Sequence, residues 1–365
     1  MDSLNINQKA IAWLNSAKGV SNGKIGKILE YFGGSTLDLW ENFEKEKSRL
    51  KLGDEIISSL SMARDGFEEM FLKRMNREKV RAVTLFDEDY PHKLKETAGA
   101  PFILYYKGKL DEINNISIAV VGSRKATGYG KWASEKFTGE LSQLGVNIVS
   151  GLAYGIDAVA HKTALKCGAL TFGVIACGID VVYPRANEGL YREIEEKGAV
   201  ITEYTFGMQP MPNNFHDRNR IISGLSDGVL VVEAQERSGT LITAGHAADQ
   251  GREIFAVPGN IDSLYSKGTN ALIRDGAKIT TCIDDIIEEI VELKEKLAQN
   301  KKTKDFSSLS DDEMKIITCL SSGEKSLYEL SVQTGLDIPL MLGILTFLEM
   351  KCFVCQMTGN RFRLS

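Results

Sequence analysis

The chain has 365 residues, with 44 Lys and Arg against 49 Asp and Glu, and 43% of its residues are hydrophobic. This composition is that of a globular protein of two or three domains, and it excludes long disordered or fibrous architectures. The net charge of -5 argues against a protein whose whole surface binds nucleic acid. Residues 116–285 carry 16 basic and 19 acidic side chains, and residues 306–365 carry 5 and 7.

The N-terminal segment is polar, and no stretch reaches the roughly 18 apolar residues that cross a bilayer. We therefore expect a cytoplasmic protein with no membrane partner. The six Cys residues are scattered along the chain, which favours reduced thiols over disulfides. Cys352 and Cys355 form a C-x-x-C motif, but no second pair of Cys or His accompanies it. We expect neither a metal nor a cofactor.

Residues 1–75 predict a helical domain that is SAM-like or helix-hairpin-helix-like. Apolar residues recur at helical spacing around Ile11 and Leu14 and again in residues 25–32. The glycine-bearing turn in residues 19–29 resembles that of a helix-hairpin-helix motif, whose amides hold a DNA phosphate. A small helical bundle that only packs is an equal alternative.

Residues 76–285 predict an α/β domain. Short strands in residues 80–110 lead into an alternation of helical segments and six apolar runs, which are residues 116–121, 146–150, 170–176, 199–203, 228–233 and 253–257. Short apolar strands separated by single helices need burial on both faces, as in a parallel sheet with right-handed crossovers. We predict an extended Rossmann-like, doubly wound, mostly parallel sheet.

The C-terminal part predicts a linker and a small third domain. Residues 286–305 are helical and then polar, as in a linker. Residues 306–365 predict three helices and a β-hairpin, the arrangement of a winged helix. The second of these helices, residues 326–334, contains Glu329 and no Lys or Arg, whereas a helix in the major groove needs donors for phosphates and guanine. We expect protein contacts or tuning of a dimer from this domain rather than duplex binding.

The loops after the predicted strands carry the chemistry. Ligands of open parallel sheets bind beyond the carboxyl ends of the strands, where helix N-termini present free amides. Glycine-bearing loops follow four strands, in residues 122–130, 150–157, 177–180 and 233–240. Their spacing matches neither the dinucleotide fingerprint nor the Walker motif, which argues against a nucleoside triphosphatase.

A ligand with several phosphates in a row would suit several separate amide sites of this kind. Arg124, Arg218, Arg220 and Lys267 are expected near the same sheet edge, where they would contact phosphates. Phe215 is placed to stack on a base, which single-stranded nucleic acid requires.

Seven motifs resemble those of the DNA-processing protein DprA family, also called Smf. They are Val121-Gly-Ser-Arg124, residues 150–161, Tyr183-Pro184, residues 215–223, residues 238–243, Ala256-Val-Pro-Gly259 and residues 268–273. The resemblance covers essentially all of residues 80–285. It implies a non-catalytic protein that binds and protects incoming single-stranded DNA, loads the recombinase RecA on it during natural transformation, and dimerises through the Rossmann-like domain.

We expect DNA contacts at the binding residues that the resemblance carries over and at further positions on neighbouring loops. The thirteen positions are Gly122, Ser123, Arg124, Gly151, Phe215, Arg218, Asn219, Arg220, Ser238, Gly239, Thr240, Lys267 and Asn270. The chain departs from the family at His216-Asp217, where proline and a basic residue are more frequent. Asp217 would repel a phosphate there.

A nucleoside monophosphate phosphoribohydrolase is the alternative, because this enzyme class resembles the sheet and its Gly-Thr phosphate loop. Here no carboxylate follows Thr240 to stabilise the transition state. Glu203 and Glu233 end strands and could replace that carboxylate, but we expect them to cap helices or hold Arg side chains. We likewise expect Asp157 to cap its helix and His161 to pack beneath the loop, rather than to act as an acid–base pair.

Overall fold

The computed structural model describes residues 3–303, 309–350, 353–357 and 359–364. Cys352, one half of the C-x-x-C motif, and Thr358 of the predicted hairpin turn lie outside these ranges. By compactness the chain divides into residues 1–294 and residues 295–365. The finer domain boundaries inferred from the sequence stay predictions.

The chain begins with five helices, α1 (Ile6–Ser16), α2 (Asn22–Tyr31), α3 (Thr36–Glu46), α4 (Asp54–Arg64) and α5 (Phe67–Glu78). Asn5 caps α1, because its side chain accepts from the Gln8 amide while the Gln8 side chain accepts from the Asn5 amide. Trp13 of α1 is fully buried, and its indole N–H donates to the Leu60 carbonyl at 2.9 Å. These helices share one apolar core with residues of the sheet domain.

The turn between α1 and α2 packs against a later segment of the chain. The Asn22 side chain donates to the Ala100 carbonyl at 3.0 Å and accepts from the Phe102 amide at 3.0 Å. The Phe102 ring lies 3.5 Å from the position that a Cβ on Gly26 would occupy. Part of this turn is therefore used for packing, and a DNA contact there stays a prediction.

The central sheet has nine strands: β1 (Arg81–Thr84), β2 (Ile103–Gly108), β3 (Ser117–Val121), β4 (Asn147–Ser150), β5 (Thr171–Val174), β6 (Ala199–Thr202), β7 (Gly228–Val231), β8 (Glu253–Ala256) and β9 (Lys278–Ile279). Their order is β1-β2-β6-β5-β4-β3-β7-β8-β9. β2 is antiparallel to both of its neighbours, β1 and β6, and all other pairs are parallel. The predicted mostly parallel α/β sheet is confirmed.

The helices of this domain are α6 (His92–Lys95), α7 (Gly128–Gln143), α8 (Ile156–Lys166), α9 (Glu188–Lys197), α10 (Pro212–Gly224), α11 (Gly239–Asp249), α12 (Lys267–Arg274) and α13 (Asp284–Glu289). The chain proceeds outward from β3 to β6 and then returns to β7 on the other side of β3. Because parallel crossovers are right-handed, this reversal places α7–α9 on one face and α10 and α11 on the other. It also opens a crevice at the carboxyl ends of β3 and β7.

The remaining elements are α14 (Val291–Thr303), α15 (Asp311–Leu320), β10 (Lys325–Ser326), α16 (Leu327–Thr334), α17 (Ile338–Met350), β11 (Val354–Met357) and β12 (Arg361–Leu364). The segment predicted as a linker is thus largely helical, and Leu293 within it is fully buried. β12 lies between β10 and β11 in a small antiparallel sheet. The three predicted helices and the hairpin are present, whereas β10 was missed because two residues leave no periodicity to detect.

Within the described ranges, no single helix is both long and apolar enough to cross a bilayer. Helices Leu327–Thr334 and Ile338–Glu349 pass that test only when they are counted together, and their axes are bent by 108°.

Candidate nucleic-acid interface

A cleft of about 680 Å³ opens at the carboxyl edge of the sheet, where the strand order reverses between β3 and β7. Three segments supply most of its lining, namely the loop after β3, the first turns of α10 and the loop that leads from β7 into α11, and the segments after β4 and β5 add Ala153, Asp157 and Tyr183. Nine of the thirteen predicted DNA-contacting residues are among the lining residues, namely Gly122, Ser123, Arg124, Phe215, Arg218, Asn219, Ser238, Gly239 and Thr240. The topology therefore gathers loops that are more than 100 residues apart in the chain.

The cleft contains further residues that are not among the thirteen predicted contact positions. Lys125, Tyr183, His216 and Gln235 also line it. Lys125 follows Arg124 in the same loop, and both side chains are exposed. A polar or aromatic residue next to a motif residue was the available signal, but only the fold shows which of these neighbours face the cleft.

An aromatic wall with cations on it forms one side of the cleft. The Arg124 guanidinium carbon lies 5.0 Å from the centre of the Phe215 ring, and that of Arg218 lies 5.9 Å from it. The Tyr183 ring is 5.7 Å from Phe215 at an interplanar angle of 59°, and Tyr183 is 43% exposed. Aromatic faces beside cations are the elements that bind bases and phosphates of an unpaired strand.

Arg218 lies beneath this wall rather than in the open cleft. It is only 4% exposed, and its Nη1 donates to the carbonyl of Gly151 at 2.8 Å and to that of Val174. Burial lowers the pKa of Arg218, and the nearby Asp157 carboxylate opposes that shift. Burial raises the pKa of Asp157, against the charge of Arg218. Arg218 therefore ties the loop after β4 to the end of β5 and puts a buried positive charge at the base of the cleft.

Two glycines explain why the loops approach so closely. A Cβ on Gly151 would lie 2.5 Å from Arg218 Nη1 and 2.6 Å from Asp157 Oδ2, so only glycine leaves room for these two groups. Gly155 has φ of +78°, and a Cβ there would lie 2.1 Å from the Ser123 carbonyl oxygen. Gly151 thus has a packing role and lines a smaller adjoining pocket rather than the main cleft.

The two helix N-termini at the cleft differ in the groups that lie against them. The Thr127 amide and hydroxyl both donate to the buried Glu233 carboxylate, and the Gly130 amide donates to the Thr127 hydroxyl. This closes the start of α7, as expected for a capping Glu233. At α11 the Ser238 hydroxyl accepts from the Thr240 amide at 3.1 Å, and a Cβ on Gly239 would meet nothing within 4 Å. The open first turn of α11 is the better anion site.

Besides Gly151, three predicted contact residues do not line the cleft. Arg220 forms an ion pair with Glu203 at 2.5 Å, so Glu203 holds an Arg side chain as expected. Arg220 does not line the cleft, because it lies two positions after Arg218 on α10 and residues two positions apart on a helix point to different sides. Asn270 is engaged locally, since its side-chain amide donates to the Gly259 carbonyl at 2.9 Å and accepts from the Gly259 amide at 3.2 Å. Lys267 is exposed at the start of α12.

The groups considered for catalysis are engaged in structural contacts. The expectation that Asp157 caps its helix was wrong: Gly155 is the N-cap residue, and Asp157 accepts from the Ala153 amide at 3.4 Å. His161 is fully buried as expected, 2.7 Å from the Thr171 hydroxyl, and burial lowers its pKa to about 3. Over the residues that the structure describes, no three His, Cys, Asp or Glu side chains are grouped to hold a metal ion.

Comparisons with known proteins agree with this picture. Residues 81–291 match the family model of DNA recombination-mediator protein A. The DNA processing protein DprA of Streptococcus pneumoniae is 41% identical over 74% of this chain and 94% of its own length. Protein Smf of Escherichia coli is 43% identical over 56% of this chain and 54% of its own length.

Two solved structures of DNA processing proteins also superpose on this chain. That of Streptococcus pneumoniae DprA superposes with a TM-score of 0.68 and 35% identity, over 79% of this chain and 99% of the other. The structure of DNA processing protein A from Helicobacter pylori, described as giving insight into the single-stranded DNA binding mode of that protein, superposes with a TM-score of 0.53. The two chains are 28% identical, over 59% of this chain and 96% of the other. The chain therefore belongs to the DNA recombination-mediator protein A family, whose members are DNA-binding recombination mediators rather than enzymes.

Proposed function

We propose that this protein binds single-stranded DNA in the cleft between β3 and β7 and delivers it to homologous recombination. One observation carries the proposal: the exposed Arg124 and Lys125 line the same cleft as the Phe215 and Tyr183 rings, and the Arg124 guanidinium lies 5.0 Å from the centre of the Phe215 ring. Cations beside accessible aromatic faces suit a ligand whose phosphates and unpaired bases are both available. In a duplex the bases are already stacked on one another and cannot use the rings.

The charge distribution supports a localised site. Residues 116–285 carry 16 basic and 19 acidic side chains, so the positive charge that binds DNA is restricted to a few groups. Arg124 and Lys125 are exposed, and Arg218 adds a buried charge beneath Phe215. The carboxylate of Asp217 is exposed next to Arg218, where it would repel a phosphate, so we place the strand on the Arg124 side of Phe215. The expected salt dependence is shallower than that of a uniformly basic protein.

A fluorescence anisotropy titration at two salt concentrations tests the proposal, with a labelled single strand and the matching duplex. We expect preferential binding of the single strand. Arg124→Ala should weaken binding to all sequences and reduce the slope of log K against log salt by about 0.7, the contribution of one phosphate contact on a single strand. Arg192→Ala is the matched control, because Arg192 is an exposed arginine on α9 that pairs with Glu188. Equal slopes for the two variants would exclude Arg124 from the site.

The wider role is also part of the proposal. The protein would protect incoming single strands in the cytoplasm, act as a homodimer through the Rossmann-like domain and load the recombinase RecA. Purified RecA should hydrolyse ATP faster on a strand covered by single-strand-binding protein when this protein is added, and Arg124→Ala should reduce that stimulation. RecA activity that does not respond to the wild-type protein would refute the loading role.

We further propose that the C-terminal residues 306–365 form a winged helix that contacts protein rather than duplex DNA. Neither α16 nor α17 contains a Lys or Arg, although both elements of a helix-turn-helix face DNA when it binds. Removing residues 306–365 should leave duplex affinity unchanged. Loss of that affinity would show that this segment binds DNA.

A further inference from the structure

Two large aromatic side chains are exposed on α7, outside the lining of the cleft. Tyr129 is 46% exposed and Trp132 is 56% exposed. They are three residues apart on one helix, so they occupy the same side of it. Their ring centres are 5.9 Å apart and the ring planes are tilted by 32°, so the two rings form one contiguous aromatic surface. A contiguous exposed aromatic surface of this kind usually marks an interaction site.

The position of this pair is fixed by the sheet edge. The Tyr129 hydroxyl donates to the Pro258 carbonyl at 2.9 Å, which ties the ring to the loop after β8. The helix that carries the pair starts directly after the loop that places Arg124 and Lys125 in the cleft. At a rise of about 1.5 Å per residue, Trp132 lies roughly 6 Å beyond the start of α7 at Gly128. The aromatic pair therefore lies in the first two turns of the helix that follows the cationic loop of the cleft.

We propose that Tyr129 and Trp132 form a second base-stacking platform, which binds nucleotides of a single strand that extend out of the cleft. The inference rests on the proposed function. Base stacking on aromatic faces is tolerant of sequence and contributes about 1–3 kcal/mol per base, or roughly 5- to 150-fold in affinity.

Charge favours a nucleic-acid strand over an apolar protein surface as the occupant. Lys125 is exposed in the loop that leads into α7, and Lys131 is exposed on a neighbouring side of the same helix turn, so positive charge is available next to the pair for a phosphate backbone. Glu135 is exposed one turn after Trp132 and limits the platform in the direction of the helix C-terminus. The occupant therefore combines flat apolar groups with negative charge, which describes unpaired bases on a phosphate backbone.

Tryptophan fluorescence gives a direct test on the full-length protein, because the three Trp residues differ in environment. Trp13 is fully buried, and Trp40 is partly buried between the side chains of Lys9 and Arg64. Trp132 is the exposed member of the set, so a base that stacks on it should quench its emission. Oligothymidylates of 3 to 20 nucleotides are titrated into the wild type, and quenching and affinity are followed together.

We expect affinity to rise with length and quenching to begin only when the strand reaches beyond the cleft. Trp132→Ala should lower the affinity of the longer oligomers by about 5- to 150-fold, while Trp132→Phe, which keeps a ring, should retain most of it. Met62→Ala, which changes another exposed apolar side chain, should have no effect. An equal affinity of Trp132→Ala and wild type for every length, or no quenching at saturation, would overturn the platform.

The outcomes also separate this inference from the proposed function. If the cleft does not bind DNA, Arg124→Ala will leave the affinity of short and long oligomers alike unchanged. If the cleft binds and the platform does not, Arg124→Ala will weaken all lengths and Trp132→Ala none. A change of oligomeric state in Trp132→Ala by light scattering, with unaltered DNA affinity, would assign the surface to a second copy of the chain and reject the platform.

Discussion

Replacing Arg218 by Met tests the buried charge beneath the cleft. Met keeps the length of the apolar stem and removes the guanidinium. The change leaves the carbonyls of Gly151 and Val174 without their shared donor and leaves the buried Asp157 carboxylate without the opposing charge. Removing one partner of a buried pair of opposite charges costs about 3–5 kcal/mol, so the free energy of unfolding should fall by about that amount at neutral pH.

The loss of unfolding free energy in Arg218→Met, called the deficit below, should depend on pH. Burial already raises the folded-state pKa of Asp157, and the charge of Arg218 limits this rise, so in Arg218→Met that pKa rises further. A carboxyl group whose pKa is higher in the folded than in the unfolded state takes up a proton on folding. Its contribution to stability is complete below the unfolded pKa and is lost as pH rises through the folded pKa. The deficit should therefore be smaller near pH 4.5 than near pH 7.5.

Urea unfolding at both pH values, followed by the fluorescence of buried Trp13, measures this deficit. Arg192→Met is the control and should change stability by less than about 0.5 kcal/mol, because that side chain is 73% exposed. Adding Asp157→Asn to Arg218→Met should abolish the pH dependence. An equal deficit at both pH values, or one below about 1 kcal/mol, would refute the electrostatic role assigned to Arg218.

Phe215→Leu should weaken single-strand binding by about 1–3 kcal/mol if the ring stacks on a base, and Phe215→Tyr should retain binding; unaltered anisotropy curves for the Leu variant would reject stacking. Gly155→Ala should lower the melting temperature clearly, since φ is +78° and the new methyl would lie 2.1 Å from the Ser123 carbonyl oxygen, whereas Gly239→Ala has open space and should change it little. His161 has a pKa of about 3, so imidazole NMR spectra should show it neutral down to about pH 4.5. Its contribution to stability should be complete above the unfolded-state pKa of about 6.5 and should decline as pH falls below that value. A pKa near 6 measured by NMR, roughly the unperturbed value, would contradict its burial.

Local sequence determined the secondary structure and the sheet. Apolar runs of five to seven residues, such as residues 116–121, have no continuous polar face, so they become strands that are covered on both sides. Glycine-bearing loops after these strands also located the cleft, because parallel strands end at one edge. The resemblance to a family added the expected residue types, and nine of the thirteen positions line one cavity.

The tertiary structure decided what each side chain does at that edge. Arg218 and Arg220 are equivalent as sequence, yet helix geometry directs one to the base of the cleft and the other to Glu203. Glu233 closes the start of α7 through Thr127, a pair separated by 106 residues. Pairings between segments this far apart leave no trace in local periodicity or composition. The sequence alone therefore located the site, and only long-range packing distinguished the side chains that are free to meet a ligand from those that hold the loops in place.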